Sequence, residues 1–177
     1  LDDDIVASPG LVEAHISARR QRPEALLLGR LDQRPPRRRD PYAQAAAVRW
    51  NRRYEELAER RADWADCYGA NFSAPLEKLR RVGGFDEGLP AVEDLELGYR
   101  LARAGCEVVY LPAAGAVHDD EKPGGRILAH ERRYGAWCAR FAAEHPDAHP
   151  RLLGWFGDST PREILLRRAL LALRVPP

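Results

Sequence analysis

Two short runs constrain the fold of this chain more than any other feature. Leu26, Leu27 and Leu28 follow one another, as do Val108, Val109 and Tyr110. In an extended backbone successive side chains point to opposite sides. A strand that is apolar at consecutive positions is therefore buried on both faces, as central strands of a covered sheet are. Helical patterns separate these runs, and strands alternating with helices predict an α/β domain.

The remaining elements follow from spacing and breakers. Helices are expected over residues 11–20, 43–62, 75–82, 93–104, 125–144 and 161–173. Ala47, Trp50, Tyr54, Leu57 and Trp64 lie on one helical face, with Glu56 and Arg60 paired outside it. Leu97, Leu101 and Ala104 share a face, and Gly105 suits the end of that helix. Strands are expected over residues 25–29, 67–73, 107–111 and 116–118, the third bounded by Pro112, with a loop over 32–41.

Composition narrows the function classes. At 177 residues the chain suits one domain or part of a larger one, and 45% apolar residues are enough for a core. Lys plus Arg number 28 against 27 Asp plus Glu, so no general nucleic-acid binder is expected. No apolar run reaches the roughly 18–20 residues of a membrane span. Cys67, Cys106 and Cys138 are widely spaced, which argues for reduced thiols in the cytoplasm over a disulfide or zinc framework. Met is absent and an acidic triplet follows Leu1 directly. Both features lead us to expect the C-terminal part of a longer protein.

Three groups of residues could carry chemistry. Asp2 and Asp4 flank Asp3, and in extended backbone they would point to one side and offer two hard oxygen ligands to one divalent cation. The same triplet also suits an acidic turn. Glu93 and Asp94 open a helix, where carboxylates are stabilised by the macrodipole. They follow the turn Gly83-Gly84-Phe85-Asp86-Glu87, whose glycines let backbone approach a ligand. A carboxylate held at a cleft edge is a suitable general base. His118 ends a short apolar strand, where α/β folds place ligand groups.

The order of these segments is more specific than any one of them. Asp2-Asp3-Asp4, then Gly69-Ala70-Asn71-Phe72-Ser73, Gly83-Gly84-Phe85-Asp86-Glu87, Glu93-Asp94-Leu95-Glu96-Leu97-Gly98-Tyr99-Arg100-Leu101 and finally Val117-His118 resemble the inverting family-2 glycosyltransferases of GT-A fold. The resemblance runs from Asp2 to about Pro146. It implies residues 1–146 as the metal and acceptor portion of a GT-A domain whose N-terminal nucleotide-binding half is missing. Residues 147–177 would be an extension with a basic amphipathic helix.

The resemblance also implies roles. Asp2 and Asp4 would bind the donor and, with His118, a Mg²⁺ or Mn²⁺ ion. Asp94 would be the general base and Glu93 would help shape the acceptor pocket. Gly83, Gly84, Phe85 and Asn71 would line the acceptor side. The partners implied are a nucleotide-diphosphate-sugar donor and a glycan or lipid-linked acceptor. The Gln-x-x-Arg-Trp motif of processive members has no match at residues 131–137, so a non-processive enzyme adding one sugar is expected. A non-catalytic module that kept the fold and binds sugar nucleotide or a membrane surface is the alternative. Residues 161–174 would suit peripheral contact with the inner face of the cell membrane.

Overall fold

The computed structural model describes residues 1–152 and residue 165. The chain divides into two compact units, Leu1–Pro123 and Gly124–Pro177. The predicted basic helix at 161–174 lies outside the described residues, apart from Leu165.

The first unit is mixed α/β, as the alternating pattern predicts. Its elements run β1 (Ile5–Ala7), α1 (Leu11–Gln21), β2 (Leu26–Gln33), α2 (Pro41–Ala58), two 3₁₀ turns at Trp64–Asp66 and Gly69–Asn71, β3 (Phe72–Ser73), α3 (Leu76–Arg81), α4 (Glu93–Arg103) and β4 (Val108–His118). The sheet order is β1-β4-β2-β3. β2 and β4 pair in parallel, whereas β1 on β4 and β3 on β2 are antiparallel.

β2 is the buried centre. Leu26 and Leu28 pack with Leu97 and Leu101 of α4, together with Cys67 and Cys106. Leu31, on the opposite face, packs with Leu11 of α1, Tyr54 and Leu57 of α2, and Ala116. Each fully buried leucine contributes on the order of 1.5–3 kcal/mol. The helix ends follow familiar local chemistry. Asp40 caps α2 by accepting from the Ala43 N–H at 3.0 Å. Gly105, at φ 84°, closes α4, with the Cys106 N–H donated to Leu101 O at 3.0 Å.

Four expectations are corrected. Pro112 does not end a strand: residues 107–111 and 116–118 belong largely to one strand, β4, interrupted rather than terminated. The pairing shifts between Gly29 and Arg30, so that Gly29 faces Leu111 but Arg30 faces Gly115. Pro112 lacks an N–H, and it sits where β4 skips its ladder bonds. β2 also continues to Gln33, into the predicted loop, because its parallel pairing with β4 runs on to Gln33 opposite His118.

Residues 67–73 are mostly not a strand. Asp63 caps the turn Trp64–Asp66 in a capping box, the chain curls again at Gly69–Asn71, and only Phe72 and Ser73 are extended. Finally, α2 ends at Ala58, so Trp64 lies off its face. Arg60 then pairs with Asp66 at 2.6 Å, and Glu56 with Arg52 at 3.0 Å.

The second unit opens with α5, Gly124–Glu144, as predicted. Phe141 is buried and meets the His145 ring edge-on, with centroids 4.9 Å apart. No helix among the described residues is long and apolar enough to cross a membrane.

Candidate active site

The first turn of α4 concentrates three acids, Glu93, Asp94 and Glu96. The residue before it, Val92, is buried and has φ 64°. For a β-branched side chain this left-handed conformation is a true outlier, costing on the order of 1–3 kcal/mol. It turns the chain sharply into α4 immediately before Glu93 and Asp94.

Asp94 is partly buried. Its Oδ2 accepts the Gly69 N–H at 2.8 Å, and its Oδ1 accepts the Leu95 N–H at 2.7 Å. Burial raises its pKa to about 6, and the neighbouring Glu93 charge adds to the rise, while the Gly69 and Leu95 bonds oppose it. Below that value the group is mainly the neutral acid; above it, a carboxylate. A base in this range can both hold and release a proton near neutral pH.

Glu96 and Arg100 serve the scaffold beside it. Glu96 is buried and pairs with Arg100 through contacts of 2.5 and 2.6 Å. Arg100 also donates to Gly84 O at 2.8 Å and to Val82 O. The pair therefore ties the turn after α3 to α4. Gly83 and Gly84 have φ 87° and 71°, where an L side chain would be strained. Gly84 donates its N–H to Leu79 O at 2.9 Å, closing α3. Phe85 is 49% exposed and meets Phe72 edge-on, leaving ring surface open to solvent.

A second cluster forms at the end of β4. Antiparallel pairing places Ile5 opposite His118, and the Asp119 N–H is donated to Asp4 O at 2.9 Å. This register brings Asp4 to His118, with Oδ2 3.0 Å from Nε2. Asp120 completes the group, the three ligand atoms lying within 4.8 Å of one another. Asp3 and Asp4 lie in a turn, not in extended backbone, and the Ile5 N–H is donated to Asp2 O at 3.3 Å. Asp2 is not part of the described group. Asp120 is the acid that sequence reasoning missed, although its spacing of two from His118 was a usable signal.

The donor set fits a divalent cation, since two carboxylates and an imidazole on one side suit Mg²⁺ or Mn²⁺. In the structure the polar atoms satisfy one another: Asp4 pairs with His118 and Asp120 with Lys122. An ion would replace both contacts.

Asn71 stands apart from the other acceptor-side candidates. It is 3% exposed, and its amide donates to Arg30 O at 3.0 Å and to Ala114 O at 2.9 Å. Its hydrogen bonds are spent inside the protein. Gly69, which sequence reasoning passed over as part of a strand, proves to hold Asp94.

No family model matches the chain. Among curated proteins, a 69-residue stretch is 39% identical to a pre-mycofactocin glycosyltransferase of Mycobacterium tuberculosis (strain CDC 1551 / Oshkosh), covering 39% of this chain and 15% of that protein. A 102-residue stretch is 32% identical to a validoxylamine A glucosyltransferase of Streptomyces hygroscopicus subsp. jinggangensis (strain 5008), covering 55% of this chain and 23% of that protein. The matches thus span less than a quarter of the length of these curated relatives. They support a relationship to sugar-transferring enzymes in general.

Proposed function

We propose that this chain carries the acceptor and metal side of a glycosyltransferase of the inverting, family-2 kind with a GT-A fold. The donor is a nucleotide-diphosphate sugar, and the acceptor is a hydroxyl of a glycan or lipid-linked glycan. One sugar is added per encounter. The observation that carries this reading is Asp94: a carboxylate fixed by Gly69 and Leu95 N–H groups, with a pKa raised to about 6, beside the acidic Glu93. Similarity to two enzymes named as glycosyltransferases supports the same class.

In the proposed mechanism Asp94 accepts the proton of the acceptor hydroxyl as its oxygen forms the new bond to the anomeric carbon. The bond from that carbon to the nucleoside diphosphate breaks in the same displacement, on the opposite face. Configuration is therefore inverted, and no covalent sugar–protein species forms. Glu93 raises the proton affinity of Asp94. Phe85, exposed over the glycine turn, offers an apolar face to a sugar ring. Asp4, His118 and Asp120 would hold a divalent cation, whose chemistry there is to offset the charge of the departing diphosphate.

The test is transfer by the intact protein from a panel of nucleotide sugars to acceptor glycans, with the product's anomeric configuration read by NMR. The expected product has the configuration opposite to the donor's, and Asp94→Asn lowers turnover by about 10²–10⁴-fold. Retention of configuration would overturn the mechanism. Binding of nucleotide without any transfer would favour a non-catalytic module.

A further inference from the structure

The parallel pairing of β2 with β4 breaks at one point. Gly29 faces Leu111 and Arg30 faces Gly115, which leaves Pro112, Ala113 and Ala114 with nothing opposite. Such a break strands backbone groups that must find partners elsewhere. Arg30 O and Ala114 O both find the same one, the Asn71 side-chain amide, at 3.0 and 2.9 Å. The amide oxygen lies 3.3 Å from His15 Nε2, and His15 Nδ1 lies 2.9 Å from Ser73 Oγ. A neutral His15 with its proton on Nε2 donates to Asn71 and accepts from Ser73, so one tautomer satisfies the whole network.

The plug also explains Gly29. A Cβ there would stand 2.3 Å from Asn71 Nδ2 and 2.6 Å from Ala114 O. The β2 glycine exists to let the Asn71 side chain through. Asn71 is, in turn, the last residue of the Gly69–Asn71 turn, whose first residue donates its N–H to Asp94 at 2.8 Å. A single residue of tight turn, Ala70, separates the plug from the donor and leaves little freedom between them.

Resting on the reading of Asp94 as the base, we propose that Asn71 is a positioning residue: by plugging the β2–β4 break it fixes the Gly69 N–H that orients the Asp94 carboxylate. His15 and Gly29 belong to the same device, one holding the amide oxygen and the other making room. The titratable groups facing Asp94 are Glu93 on its own helix and the buried Cys67 thiol from the segment before Gly69. The titratable groups around the plug are His15 and Arg19, the latter donating to Ser73 O at 3.0 Å.

The test is an NMR titration of the Asp94 carboxyl in the full chain. Asn71→Ser releases the turn, so the Asp94 pKa rises further, by roughly one unit, as the hydrogen bond favouring the carboxylate is lost. His15→Ala, which leaves the sheet bonds of Asn71 intact, gives a smaller rise in the same direction, and His15→Gln restores the original value. A folded Asn71→Ser variant with an unchanged Asp94 pKa would overturn the proposal. Should that variant not fold, an unchanged pKa in His15→Ala would overturn it equally. A shifted pKa in a protein where Asp94→Asn leaves transfer intact would keep the positioning role and remove the base.

Discussion

Asp66 offers a quantitative check on the local structure that carries Gly69. Its side chain is fully buried, yet it is a carboxylate. Arg60 grips it through two contacts of 2.6 and 2.7 Å, Arg53 adds one at 3.3 Å, and the Asp63 N–H is donated to it at 3.0 Å. Burial alone would raise its pKa, but the Arg60 hydrogen bonds, the Asp63 N–H and the two guanidinium charges together leave it lowered. Asp66→Ala removes one member of a buried pair, a change that typically costs on the order of 3–5 kcal/mol. Arg60 is 40% exposed and can rehydrate, so the lower end, about 3 kcal/mol, is expected. Urea unfolding at pH 7 measures this. Because the folded pKa lies below the unfolded one, the contribution is complete above the unfolded value of about 3.9 and fades as pH falls through the folded one. The gap between wild type and Asp66→Ala should therefore narrow below about pH 4. A loss under about 1 kcal/mol, or a gap that stays constant down to about pH 3, would refute this account of Asp66.

Two further outcomes are expected. Gly98→Ala places a Cβ 2.5 Å from Cys67 Cβ and 3.0 Å from Trp64 O, so it should push the Trp64–Asp66 turn off α4. The cost is about 1–3 kcal/mol, read by thermal melting, and an unchanged Tm would contradict that contact. Asp120→Asn should weaken Mn²⁺ binding to the intact protein at least about tenfold by calorimetry, as loss of a charged ligand does. Equal binding by both proteins would place the cation elsewhere.

Parts of this structure were legible in the sequence for definite physical reasons. Leu26–Leu28 read as a central strand because the apolar run is short and bounded by Pro23 and Gly29, too brief for a buried helix and apolar on both faces. The α4 helix was legible from Leu97, Leu101 and Gly105, a face and a stop. Residues 67–73 misled because their apolar content resembles a strand, whereas the curl is decided by distant partners: Asp94 for Gly69, and Arg30 and Ala114 for Asn71. Pro112 misled because a proline ends a regular ladder but is tolerated at a break in one. Asp4 and His118 were foreseen together from motif order. Asp120 was not, although it follows His118 by only two residues; it is Asp4 that the antiparallel register of β1 with β4 brings to them. The strain at Val92 has no sequence signature at all, because nothing local favours a left-handed valine.

The most direct test of the central claim is the pH dependence of transfer by the intact protein, measured as nucleoside diphosphate released in the presence of acceptor. If Asp94 takes the acceptor proton, only its carboxylate form is active. Turnover in the wild type should then rise with pH along a single limb centred on about 6, the pKa of Asp94. In Asp94→Asn that limb should vanish along with about 10²–10⁴-fold of the turnover, while the protein stays folded: the amide oxygen still accepts from Gly69, and only the Leu95 N–H bond is given up. Turnover independent of pH between roughly 5 and 7, or near-normal turnover in Asp94→Asn, would contradict the role assigned to Asp94.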